Sequence, residues 1–223
     1  MLNAAVTLAV AFAASAHAVS GAPVPAIPPV IVNVWTAPGI PSELVSALLA
    51  ETDAIWRPTG ITFLWRRNQS EPIAGRSTEA PCDPLALRVV IGDEIHRASD
   101  FRFRLGWIVF DDPSTPEQEI HVSYRSAMLL LERSPGVVGV VESMPRLQRR
   151  TLLSRALGRA LAHELGHYLS ASPVHTPDGL MMALHTAAEF FGSDRGGFRL
   201  DPAQWRQIVA RITSTYVKSS AGA

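Results

Sequence analysis

Between Leu147 and Leu169 the chain has no proline and only two glycines, Gly158 and Gly166. Leu152, Leu153, Arg155, Ala156, Leu157, Arg159, Ala160, Leu161 and Ala162 are all good helix formers. Leu153, Leu157, Ala160, Leu161 and Leu165 recur at helical spacing, so one face belongs to a core. Pro145 precedes the run and Pro173 stops it. A helix of this length with one apolar face requires a layer to lie on, and the rest of the fold has to supply it.

On this helix stands Ala162-His163-Glu164-Leu165-Gly166-His167-Tyr168. Histidines four apart fall about 40° apart around a helix and roughly 6 Å along it, so both rings project from one face. Two imidazoles so placed can grip one metal ion. Glu164 follows the first histidine and projects to another side. It can reach a water on that ion without being a ligand.

The chain has 223 residues, 47% of them apolar, which suits one domain with a proper core. Twenty basic and twenty acidic residues cancel, and no basic patch stands out, so nucleic acid is not an expected partner. Residues 1–18 form an alanine-rich apolar run ending in Ala16-His17-Ala18. They read as a secretory signal cleaved after Ala18, which implies a secreted or periplasmic protein with no stable membrane insertion afterwards. One cysteine, Cys82, excludes an internal disulfide framework. Its surroundings, Ala80-Pro81-Cys82-Asp83-Pro84, mark a loop.

Residues 19–29 carry four prolines and read as a linker. Residues 30–215 read as a single catalytic domain of α+β class, and residues 216–223 as a frayed tail. Strands are expected at Val30–Trp35, Ile61–Trp65, Leu85–Ile91, Leu105–Phe110 and Glu119–Tyr124. Helices are expected from Pro41 to the Pro58-Thr59-Gly60 stop, from Arg125 to Arg133, and from Asp201-Pro202 onward. Val137-Val138 and Val140-Val141 are open between strand and irregular structure.

Zinc takes nitrogen, sulfur or carboxylate ligands, and a catalytic site uses three from the protein and leaves one place to water. Beyond His163 and His167 the candidates are His175, Asp178, His185, Glu189 and Asp194. His175 is preferred, because it follows the helix stop and a reversing loop can bring its ring back. Glu189, on a second helix, is the rival. His96 and His121 lie on or beside strands and read as structural or exposed. A zinc-activated water with Glu164 as general base is a hydrolytic site.

These residues resemble the zincin metallopeptidases, and among them the metzincins, particularly bacterial matrixin-like proteins. The resemblance is specific over residues 147–182. It implies a mixed twisted sheet packed on the active-site helix, a third ligand in the following loop, a methionine turn below the metal, and a peptide or protein substrate. Gly179-Leu180-Met181-Met182 is similar to that turn, with Met181 as the apolar floor. The family pattern has Gly where this chain has Ser170, and His175 comes two residues later than in the pattern, with Ser172-Pro173 as an insertion at the helix exit. By the same analogy Ile120–Tyr124 is the edge strand on which substrate pairs. The expected function is a zinc-dependent endopeptidase, and the alternative is a zinc-binding relative that holds a protein partner without cleaving it.

Overall fold

The computed structural model describes residues 27–68, 87–95 and 104–221. The run read as a secretory signal, most of the stretch read as a linker, Cys82 and His96 lie outside the described residues.

β1 (Val30–Thr36) is β-branched and apolar, and Val30, Val32 and Val34 face the core. Pro38-Gly39 turns the chain into α1 (Ser42–Trp56), which Pro41 precedes in extended conformation. Leu44, Val45, Leu48, Leu49, Thr52, Ile55 and Trp56 form its buried stripe. A 3-10 turn at Arg57–Thr59 ends it, and Gly60 takes a positive φ of 75°. β2 (Phe63–Asn68), β3 (Leu87–Gly92), β4 (Gly106–Asp112) and β5 (Thr115–Ser123) complete one five-stranded sheet. The strand order is β2-β1-β3-β5-β4, parallel except for the β4–β5 pair.

β5 begins four residues before the expected start and lies between β3 and β4, so the edge expected at Ile120–Tyr124 is an interior strand. The edge on that side is β4. Tyr124 instead opens α2 (Tyr124–Glu132), whose first turn is capped by the Ser123 hydroxyl accepting from Ser126 N–H. The two valine pairs are not strands. Val137-Val138 lie in a short helix, α3 (Pro135–Val138), and Val141 starts a 3-10 turn.

α4 (Arg146–Ser170) crosses the sheet face that also carries α1. Its Leu153, Leu157, Leu161, Leu165 and Leu169 are almost wholly buried against Val89, Ile120, Val122 and the α1 stripe. The Thr52 hydroxyl donates to the Gly158 carbonyl at 3.0 Å and ties α1 to α4. A second tie is ionic. The Arg159 Nε, on a fully buried side chain, donates to Glu51 Oε1 at 3.1 Å, and Arg195 holds Glu51 Oε2 at 2.6 Å.

The chain after α4 is a small lobe of α5 (Ala187–Phe191) and α6 (Pro202–Ala221). α6 runs through most of the stretch read as a tail, and the Tyr216 hydroxyl donates to Pro29 O. Its Arg211 donates to the carbonyls of Tyr168 and Leu169, and the Gln207 amide to that of Ser170. The otherwise orphan carbonyls at the end of α4 are thus satisfied by another helix.

Candidate metal centre

α4 presents His163 and His167 together because its leucine face is buried in the core and turns the histidine stripe toward the loop beyond. His163 Nδ1 lies 2.8 Å from the carbonyl of Leu180, and His167 Nδ1 lies 2.7 Å from that of Ser172. A carbonyl only accepts, so each ring carries its proton on Nδ1 and a lone pair on Nε2. The two Nε2 atoms face each other at 3.0 Å.

The helix exit brings in the third ring. Ala171 adopts the left-handed conformation (φ 48°), and the N–H of Ser172 returns to the His167 carbonyl at 3.2 Å. The left-handed turn thus falls one residue after Ser170, which stays helical. Beyond it, Thr176 N–H donates to Met181 O at 3.0 Å and the Thr176 hydroxyl to Asp178 O at 2.7 Å. The closed loop sets His175 Nε2 3.3 Å from His167 Nε2. One ligand atom from each of His163, His167 and His175 lies within 4.8 Å of the others.

Burial, and then the neighbouring His167, pushes the pKa of His163 down to about 3. Burial pushes His167 down to about 4. His175 is lowered by its partial burial and by Arg104. All three rings are therefore neutral at pH 7, the state that ligates.

Two lone pairs opposed at 3.0 Å with no proton between them repel, and a cation among the rings removes the conflict. Nitrogens bound to one zinc at 2.0–2.1 Å sit about 3.3 Å apart in a tetrahedron. The two separations at His167, 3.0 and 3.3 Å, match that spacing, and all three donors lie within 4.8 Å of one another, so the donor set fits such an ion.

Glu164 points elsewhere, toward β4. It is 8% exposed, and a Cβ at Gly106 would stand 3.0 Å from its Cγ and 3.3 Å from the His121 carbonyl. Glycine at position 106 leaves the space that the carboxyl side chain uses. A glycine inside a strand pattern often marks such a close approach, and this was the available signal for a residue that sequence reasoning missed. Burial raises the Glu164 carboxyl to about 8, with Arg104 opposing.

Met181 is 3% exposed and lies against Gly166, where a Cβ would come 2.2 Å from its sulfur. Gly166 adjoins His167, so the thioether packs beneath the histidine-bearing turn. Leu180, the preceding residue, supplies the carbonyl that orients His163.

The remaining candidates have other partners. Glu189 forms a capping box with Thr186 at the start of α5. The His185 side chain is 4% exposed, stacked on Phe198 at 4.3 Å, with Nδ1 3.8 Å from Glu189 Oε1. Asp194 accepts from Gly196 N–H, and Asp178 is exposed in the loop. His121 stacks on Trp107 and pairs with Glu119 at 3.1 Å.

No protein-family model matches the chain, and no curated protein matches it in sequence. Among solved structures it is similar to an archaemetzincin from Methanopyrus kandleri, at 15% identity and a TM-score of 0.49, over 82% of this chain and 96% of that one. It is also similar to a zinc-dependent peptidase from Methanocorpusculum labreanum, at 11% identity and a TM-score of 0.47, over 79% of this chain and 99% of that one.

Proposed function

We propose that the chain is a secreted zinc-dependent endopeptidase of metzincin type, with His163, His167 and His175 as metal ligands and Glu164 as general base. The observation that carries this reading is the convergence of three neutral imidazoles, two with their tautomers set by carbonyls, beside a buried carboxyl that does not join them. Zinc held there supplies Lewis acidity toward water and a peptide carbonyl near neutral pH.

The chain's own residues do the rest. Leu180 and Ser172 hold the proton on Nδ1 of His163 and His167, so that Nε2 stays a donor of electrons. Glu164, in its carboxylate form, takes a proton from the attacking water and returns it to the leaving amine. The wall made by β4 at Gly106 keeps that carboxyl out of bulk water, where its proton affinity stays high. Met181 and Gly166 form the apolar floor under the turn.

Metal analysis followed by casein cleavage, with and without chelator, tests the reading. One zinc per chain and chelator-sensitive cleavage are expected. Stoichiometric zinc without cleavage would favour a binding protein instead.

A further inference from the structure

β4 passes the centre with two unlike residues in contact with it. Gly106 lies against Glu164. Phe110 lies against the second histidine of α4: its ring and that of His167 have centroids 6.4 Å apart and planes at 89°. Between them Ile108 packs on the core. The strand does not reach Phe110 regularly. Gly106, Trp107 and Ile108 keep step with Val122, His121 and Ile120, but Phe110 pairs with Pro116 and Asp112 with Thr115, so the register shifts on both sides of Phe110. Pro116 is buried and has no N–H to give the ladder. Such irregularities re-aim a side chain, and they gather next to active sites. The turn beyond is fixed, because Asp112 Oδ1 accepts from the N–H and the hydroxyl of Ser114, at 2.8 and 2.7 Å. Phe110 is half-buried, so it packs beside the imidazole and still keeps part of its surface exposed.

We infer that Phe110 is a specificity-determining residue, the apolar wall of a subsite at the His167 end of the centre, which favours substrates with a large apolar side chain, aromatic above all, beside the bond to be cleaved. The inference rests on the peptidase reading for its substrate. A ring already fixed in place offers contact area at little cost in ordering. Covering its remaining surface removes apolar area from water, and a second ring adds the edge-to-face or offset contact that aromatic pairs prefer. Gly106 presents no side chain at the Glu164 end, so β4 discriminates between substrates through Phe110. A ring that served only to steady the imidazole would act on all substrates alike.

The test uses zinc-loaded parent, F110A and F110L, with zinc content as the control for an intact centre. Cleavage sites in a random peptide mixture are read by mass spectrometry, and kcat and KM are measured for a matched pair of peptides with Phe or Ala next to the cut. The parent is expected to favour Phe, Tyr, Trp or Leu there. F110A lowers the ratio of kcat/KM for the Phe peptide over the Ala peptide about ten-fold, and F110L recovers part of that ratio. A fall shared equally by both peptides would mean that the ring only steadies His167 and would overturn the subsite, as would a parent that cleaves with no apolar preference. A second arm measures binding of phenylalanine hydroxamate and glycine hydroxamate to the same zinc-loaded proteins by calorimetry. The parent should bind the first about ten-fold more tightly, and F110A should bind the two alike. If the parent cleaves nothing but shows this difference, the subsite stands and the peptidase reading falls. Equal affinities in the parent would remove the subsite.

Discussion

His163 and His167 turn their Nε2 atoms toward each other at 3.0 Å while each donates its Nδ1 proton to a carbonyl, of Leu180 and Ser172 respectively. The fold thus holds two electron pairs against each other, and the burial that keeps the rings neutral links the centre to pH. The signs can be worked out for the metal-free protein. His163 and His167 have folded pKa values of about 3 and about 4, below the ordinary 6.5, so the unfolded chain binds more protons and stability falls as pH drops below about 6.5. Glu164 has a folded pKa of about 8, above the ordinary 4.5, so its contribution is lost as pH rises from 4.5 toward 8. Two histidines outweigh one glutamate between 4.5 and 6.5, and the glutamate acts alone above that. Urea midpoints in chelator should peak near pH 6.5. A flat profile from pH 5 to 8 would contradict the burial of these groups.

Gly166→Ala sets a methyl group where the Met181 sulfur lies. Overpacking of this kind costs about 1–3 kcal/mol. Because one contact is responsible, Met181→Ala added to Gly166→Ala should cost less than the sum of the two single changes, measured by denaturant unfolding. Strict additivity would separate the methionine from the turn.

Gly106→Ala tests the wall behind Glu164. The added methyl group meets Glu164 Cγ at 3.0 Å and displaces a carboxyl whose position matters for proton transfer. Zinc content should stay at one per chain while kcat falls at least ten-fold. Unchanged kcat would mean that the carboxyl tolerates displacement.

The left-handed Ala171 carries a steric cost of about 1–2 kcal/mol that glycine does not. Ala171→Gly should stabilise the fold, offset in part by the greater freedom of glycine in the unfolded chain, for a net gain of about 0.5–1 kcal/mol. A loss would show that the αL turn is not what closes α4.

Arg159 and Glu51 are 0% and 6% exposed. Arg159→Met strips one partner from a buried carboxylate and should cost about 3 kcal/mol, the low end for such a change, because Arg195 stays on Oε2. Adding Glu51→Gln should recover part of that loss in the same unfolding assay.

The helix and the convergence of its histidines were readable because both depend on local spacing. The leucine period from Leu153 to Leu165 sets the buried face, and residues four apart follow it. His175 was reachable from sequence because Pro173 ends the helix and forces the chain to turn. Strand order was not readable. Alternation in Ile120 and Val122 says which face is buried and nothing about which neighbours pair, so β5 was assigned to the edge that β4 occupies. Pro116 hid the start of β5, since proline weakens a strand reading, and it falls where the β4–β5 register shifts. The valine pairs at 137–141 mislead for a similar reason, because β-branched propensity gives way to Pro135 and Gly139 at the ends of a single turn. The hold of Arg211 on the end of α4 is a long-range relationship, and nothing near it in the sequence announces it.

The central claim is that three imidazoles, and no carboxylate, hold one zinc ion. X-ray absorption at the zinc edge of the zinc-loaded protein tests it most directly. The parent should show three imidazole nitrogens at about 2.0–2.1 Å, and the same measurement on His175→Ala should show two. Two imidazoles in the parent with a carboxylate in the third place, unaltered by His175→Ala, would contradict it.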